Sequence, residues 1–370
     1  MIVSPVDIAI GIERYIHDWE PLEAEIPRPQ GFEVIEEIDY LSCLNWKGKN
    51  NIGKYAVYLL EKNDIDHFTA LRKLNVLLRT KVNYIGIKDS AAHTYQLIYI
   101  RPPIRIQEYK EDRINLRFLG YTDSKFNHTG NIFNIVLKRV NKDKLSKRVT
   151  DISSDPYLPA FFGYQRFGSR RPITHIVGKY LVKRDWYNAI MFILGHPFDD
   201  ESENIKKARK MVMNGELLEA LKEIPISFKQ ERTILKNYIK TNNPFQALKT
   251  SLIPLSFYVE AYQSYIFNKI LSRKLNNVIN DKDKVEIIIS SKDNLCDEDC
   301  KLVFEEEGIE GKQFNIREIK VNRPYLKRKA FMKVRDIKFK DETLSFALDR
   351  GMYATIVLEE LLRLDPRKIT

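Results

Sequence analysis

The sequence predicts an α+β fold on three observations. Gly31 to Ile38 alternates apolar and acidic residues, Tyr55 to Leu60 is rich in aromatic and β-branched residues, and Phe68, Leu71, Leu74, Leu77 and Leu78 recur at helical spacing. A further apolar, aromatic run follows at once, at Tyr84, Ile85 and Ile87. Strand, strand, helix, strand within about 70 residues is the order of a sheet covered by helices.

The elements follow in order. Residues 1 to 30 hold Pro5, Pro21, Pro27 and Pro29, which favours an arm with short helical or extended pieces over one long helix. The period of two at Gly31 to Ile38 predicts a half-exposed strand, and the turn-like Lys47 to Lys54 leads into a second strand expected to pair with it. Asp66 is placed to cap the helix that follows. The run at Tyr84 to Ile87 predicts a strand entering the core, ending in Asp89, with another strand from Gln96 to Ile100. Beyond Pro102 and Pro103, the runs Ile114 to Gly120 and Asn131 to Lys138 predict strands around a polar loop.

Asn204 to Met213 and Phe228 to Lys240 are lysine-rich helical patterns, read as solvated faces or as RNA contacts. Leu255 to Leu271 predicts a long amphipathic helix with Tyr258, Tyr262, Tyr265 and Ile266 on its apolar side. Val285 to Ile289 and Thr343 to Leu348 predict strands, and Met352 to Leu362 a closing helix.

At 370 residues the chain has length for about two domains. Its 61 Lys and Arg against 50 Asp and Glu give +11, an excess that suits a polyanion partner or serves solubility alone. Three cysteines exclude a disulfide framework and fit a reducing compartment. Cys296 and Cys300 lie four apart in an acidic stretch without the further ligands a zinc site needs. There is no secretory-type leader and no apolar run of about 18 residues, so a cytoplasmic protein off the membrane is expected.

Asp89 stands at a strand end, where a turn residue and a site residue are both plausible chemically. Its surroundings are distinctive. Gly86, Lys88, Asp89, Ala92, Thr94 and Gln96 fall in register with a Gly-hydrophobic-Lys-Asp-x-x-Ala-x-Thr-x-Gln signature, and on these residues the chain resembles the TruD family of RNA pseudouridine synthases, in an archaeal-type form. Further stretches resemble family motifs: Phe32, Val34 and Glu36; Ala70 to Leu74; Gly130, Asn131, Phe133, Ile135 and Leu137; Pro159 with Phe162, Gly163, Gln165, Arg166, Phe167 and Gly168; a helix from Thr174 to Ala189; Ala261 to Asn268; and Gly351, Tyr353, Ala354 and Thr355.

The resemblance implies a pseudouridine-synthase fold, with a mixed, largely antiparallel sheet flanked by helices. It divides the chain into a catalytic domain at 1–170, an inserted α/β domain of the TRUD type at 171–329, and a catalytic return at 330–370. It implies a tRNA uridine isomerase acting at uridine 13 of the D arm, uridine 35 of the anticodon, or both, as a cytoplasmic monomer with no cofactor and no metal. Asp89 is then the nucleophile or proton acceptor, and Lys88 or Arg166 supplies the cation that keeps it ionised. Phe162 stacks on the extruded uracil, with Gln165 in the same base pocket. Arg28, Arg170, Arg171, Arg323, Lys327, Arg328 and Arg350 are the expected RNA contacts.

The chain departs from the family pattern at Ala160 (usually Asn), Ser90 (usually Arg or Lys) and Glu359 (usually Arg). The Lys common before the first strand has Ile26 nearest in register and Arg28 two positions later. Two other readings stand beside this one: an RNA-binding or RNA-folding protein with little chemistry, and a hydrolase using paired carboxylates, for which Glu36 is the other motif acid.

Overall fold

A computed structural model describes all residues except 1–2, 89, 105, 169–170, 277–280, 291, 293–294 and 370. Its main sheet holds β1 (Phe32–Ile38), β2 (Tyr55–Asn63), β3 (His93–Ile100), β4 (Glu108–Glu111), β5 (Ile114–Thr122), β6 (His128–Val136), β7 (Arg335–Lys340) and β8 (Thr343–Asp349), in the spatial order β7-β8-β6-β1-β3-β2-β5-β4. Two-residue stubs at Leu41–Ser42 and Asn83–Tyr84 bring it to ten strands. β1 and β3 run parallel, with Val34 opposite Thr94, and the other pairings are antiparallel.

The second strand therefore does not pair with the first, as the sequence suggested; β3 lies between them. The parallel pairing is reinforced by a side chain, because the buried Glu36 carboxylate accepts from the Leu97 amide at 2.9 Å. β1 is also not half-exposed. Glu36 and Glu37 are 0% and 3% exposed, and each has a cation at hand, Lys88 for Glu36 and Arg335 for Glu37. Both faces of a central strand are covered here, so period two marks alternation between two interiors.

The helix α1 (His67–Leu78) forms as read, with the Asp66 side chain accepting from Thr69 N at its start and Arg79 in the left-handed region at its end. It buries Ala70, Leu71, Leu74 and Leu78 against Tyr58, Leu60 and Ile98. Each fully buried leucine contributes roughly 1.5–3 kcal/mol. Between residues 137 and 334 the chain leaves the main sheet, with α2 (Lys142–Ser154), α3 (Thr174–Val182), α4 (Trp186–Leu194), α5 (Leu255–Lys274) and further helices and short strands, before α6 (Ala354–Leu362) follows β8.

The single helix expected at Thr174 to Ala189 is two. Arg184 takes a left-handed φ of 59°, and the Asp185 side chain then accepts from Asn188 N to start α4. α5 is not amphipathic but buried on most sides, because its polar residues find backbone partners: Asn268 donates to the carbonyls of Ile10 and Phe162, Gln263 to that of Arg323. Cys296 and Cys300 form a disulfide bridge, against the expectation of unbridged thiols, while Cys43 is free and buried. One hydrophobic cluster runs from Ile10 through the sheet residues Val34, Phe133 and Phe346 to α3, α5, α6 and Ile369, while α1 and its strand partners form a separate cluster.

Candidate active site

The strand expected over Tyr84 to Ile87 is confined to Asn83–Tyr84. Gln96 on β3 donates to the Gly86 carbonyl at 3.2 Å and draws that backbone out of the ladder. The released segment from Tyr84 to Lys88 forms one wall of a cavity of about 480 Å³. β1 and β6 supply Phe32, Val34, His128, Asn131 and Phe133, and the opposite wall is Arg350 to Thr355, where β8 turns into α6, with Gln165 beside it. A cavity of this size holds one small ring system.

A charged group lies under the cavity. The Lys88 ammonium is 3.1 Å from the Glu36 carboxylate and donates to the Asn131 side-chain oxygen at 2.6 Å. Both ionic side chains are almost fully buried, so the pair must be matched to be tolerated at all. His128 donates from Nε2 to the Gly130 carbonyl, 2.9 Å away, and burial, then the Lys88 charge, holds its pKa below the ordinary value. Cys43, close by, is pushed up to about 12 by burial and by Glu36, which makes it an inert thiol.

Gly86 packs so tightly over this group that an added Cβ would lie 3.0 Å from the His128 ring, 3.1 Å from the Lys88 nitrogen and 3.2 Å from the Glu36 oxygen. Gly86→Ala is expected to destabilise the protein by about 1–3 kcal/mol, read as a lowered denaturant midpoint with an unchanged slope.

Of the residues singled out in the sequence, Lys88, Gln165 and Arg350 come together on the cavity. Asp89 and Arg170 lie outside the described residues. Phe162 does not line the cavity: its ring lies behind the wall, 6.3 Å from that of Tyr353, with the Arg328 guanidinium 4.2 Å above it. Arg166 points the other way, to Glu260 at 3.2 Å and Ser264 at 3.3 Å.

Two expected RNA contacts, Arg328 and Arg171, hold backbone carbonyls. Arg328 donates to the carbonyls of Ala160 and Gly351, each bond at 3.1 Å, and burial lowers its pKa to about 10. Arg171 donates to the carbonyls of Phe192, Ile193, Gly195 and His196, with the same lowering to about 10 by burial. Arg28 donates to the carbonyls of Ala91 (3.0 Å) and Ile369 (2.8 Å) over the Phe32 ring, tying the segment after position 89 to the end of the chain. Arg323 and Lys327 are partly exposed, paired with Glu260 at 2.7 Å and Glu286 at 2.6 Å.

The aromatic residues that do face the cavity are Phe32, Tyr84, Phe133 and Tyr353, joined by the polar His128, Asn131 and Thr355. Sequence reading gave none of these a role. Asn131, Phe133, Tyr353 and Thr355 sit in recognised motifs, and the signal was the pairing of the two motif strands: Phe133 of β6 lies opposite Val34 of β1 and Phe346 of β8. Among the described residues no group of three or more His, Cys, Asp or Glu side chains is placed to hold a metal ion, and no helix is long and apolar enough to cross a membrane.

Fold and site together are those of an α+β protein with an aromatic-lined cavity over β1 and β6. Comparison with known proteins then gives the family. The model of the family described as tRNA pseudouridine synthase D (TruD) matches residues 9–302. A Saccharolobus solfataricus protein named a probable tRNA pseudouridine synthase D is 50% identical over 375 residues, spanning 99% of each chain. A Sulfurisphaera tokodaii protein of the same name is 49% identical over 364 residues, spanning 98% of this chain and 100% of the relative. The crystal structure of the TruD protein from Methanosarcina mazei shares the fold, with a TM-score of 0.79 at 24% identity over 100% of both chains. The chain belongs to the TruD family of tRNA pseudouridine synthases, a family of RNA-uridine isomerases.

Proposed function

We propose that this protein converts a uridine of tRNA to pseudouridine with Asp89 as nucleophile or proton acceptor. The observation that carries the reading is the aromatic cavity whose wall ends at Lys88, the residue before Asp89. In the reaction the bond from C1′ of the ribose to N1 of uracil breaks, the base turns, and a bond from C1′ to C5 forms; C5 loses a proton and N1 gains one. A carboxylate at the sugar and a pocket that keeps the detached base from solvent are the chemical requirements.

Phe133 and Tyr353 offer faces to the uracil ring, and Asn131 and Gln165 offer polar groups to its edge. Because Lys88 is matched by Glu36, we assign it to holding the pocket floor. Phe162 and Arg328 then act behind the wall as supports. We read residues 1–170 and 330–370 as the catalytic part and 171–329 as inserted, a division supported by the main-sheet strands falling in the two outer segments. Uridine 13 of the D arm, with uridine 35 of the anticodon as the other candidate, is the proposed target.

The test is incubation with unmodified tRNA transcripts followed by mapping of pseudouridine. Wild type should modify one or both positions, and Asp89→Ala should form no product while binding the same transcripts. Product from Asp89→Ala would end the assignment of that carboxylate, and binding without product by wild type would favour an RNA-folding role.

A further inference from the structure

Of the wall residues from Tyr84 to Lys88, four are held by the protein. The Tyr84 ring packs edge-on against that of His67, 4.6 Å away, and Ile85 packs on the cluster that holds Ile35, Cys43 and Val57. Gly86 accepts from Gln96 and faces the floor, since a side chain there would run into His128, Lys88 and Glu36. Lys88 also turns inward, to Glu36 and Asn131. Ile87 is the exception.

It is 63% exposed, although it lines the cavity. Other aliphatic side chains are as open to solvent, Val76 and Ile226 among them, but these do not line the cavity, and apolar residues scattered singly on a surface are ordinary. The exposed lining residues are Ile87 on one wall and Arg350 and Gly351 on the other, and they mark the mouth. Ile87 is also ordered in advance. The Gly86 carbonyl and the Lys88 ammonium are bonded on either side of it, and branching at Cβ restricts its χ1.

We propose that Ile87 is a wedge that enters the RNA strand at the place left by the extruded uridine. The inference rests on the functional reading above and adds a residue to it. Turning one base out of a strand strips its neighbours of a stacking partner and leaves a gap between two flat base faces. A stiff aliphatic side chain standing at the mouth fills that gap without reading sequence, as apolar side chains do when they insert between base steps. The wedge offsets part of the unstacking cost and so favours the state in which the uracil lies in the cavity.

The experiment uses the full chain, a tRNA transcript that wild type modifies, and the same transcript with an abasic nucleotide at the modified position. Ile87→Val should weaken binding about threefold and Ile87→Ala about tenfold, by the same factors on both transcripts, because the vacancy is present in each. Ile87→Leu, which conserves volume, should bind within about twofold of wild type. The side chain is exposed in the free protein, so all three variants should keep the wild-type denaturant midpoint, which separates a lost RNA contact from lost folding. Ile87→Ala that binds both transcripts as tightly as wild type would overturn the wedge. A loss confined to the uridine transcript would do so too, since Ile87 would then be covering the base inside the cavity. Wild type that forms no pseudouridine in any tRNA would instead overturn the functional reading, and the wedge with it.

Discussion

Lys88→Met should lower the free energy of unfolding by about 3–5 kcal/mol, because it leaves the Glu36 carboxylate buried without its cation. Glu36 is 0% exposed and keeps one bond, from the Leu97 amide. Adding Glu36→Gln to Lys88→Met should recover more than half of the loss, since a neutral amide still accepts from Leu97 and no longer requires a counter-charge. Guanidinium unfolding of the two single variants and the double variant gives the coupling directly. A loss below about 1 kcal/mol for Lys88→Met would show that the ammonium does not balance Glu36.

Stability should also fall as pH rises from about 4 to about 7. Asp7 is 0% exposed, and burial raises its pKa from 3.8 to about 7, with Asp365 adding to the rise while the Tyr15 hydroxyl and Arg363 oppose it. Glu359, in the last helix, is raised well above the ordinary range by burial and then by Asp7 and Glu360, with Arg363 opposing. A carboxyl whose folded pKa lies above its unfolded value keeps a proton that the unfolded chain has released, so its stabilising effect is present at acid pH and lost as pH rises through the folded value. For Asp7 alone the loss is of the order of 4 kcal/mol across that window. Asp7→Asn should flatten the profile measured by unfolding at fixed temperature between pH 4 and 8. A stability that rises with pH in wild type, or an unchanged slope in Asp7→Asn, would contradict this account.

Glu359 shows where sequence reading stops. As a departure from the family's usual Arg it was visible at once; that it shares a buried site with Asp7 was not, because the two stand at opposite ends of the chain. The same holds for β1. Its strand character was legible from period two, whereas burial of Glu36 and Glu37 depended on Lys88 and on Arg335, the latter 298 residues from Glu37. Features set by near neighbours, such as the Asp66 cap and the apolar face of α1, were read correctly. Which aromatic residues line the cavity was not legible for a related reason. Phe133 and Phe162 both sit in motifs, and what turns Phe162 from the cavity is packing on Arg328 and Phe267, contributed by distant segments.

The wall from Arg350 to Thr355 belongs to the last strand and helix, while Lys88, His128 and Asn131 belong to the first half of the chain. Synthesis proceeds from the N-terminus, so a nascent chain of about 330 residues can hold the floor of the pocket but not its far side. Competence therefore arrives abruptly, when β8 docks on β6 and completes the enclosure. Until then the growing polypeptide has an open shelf where the finished protein has a chamber.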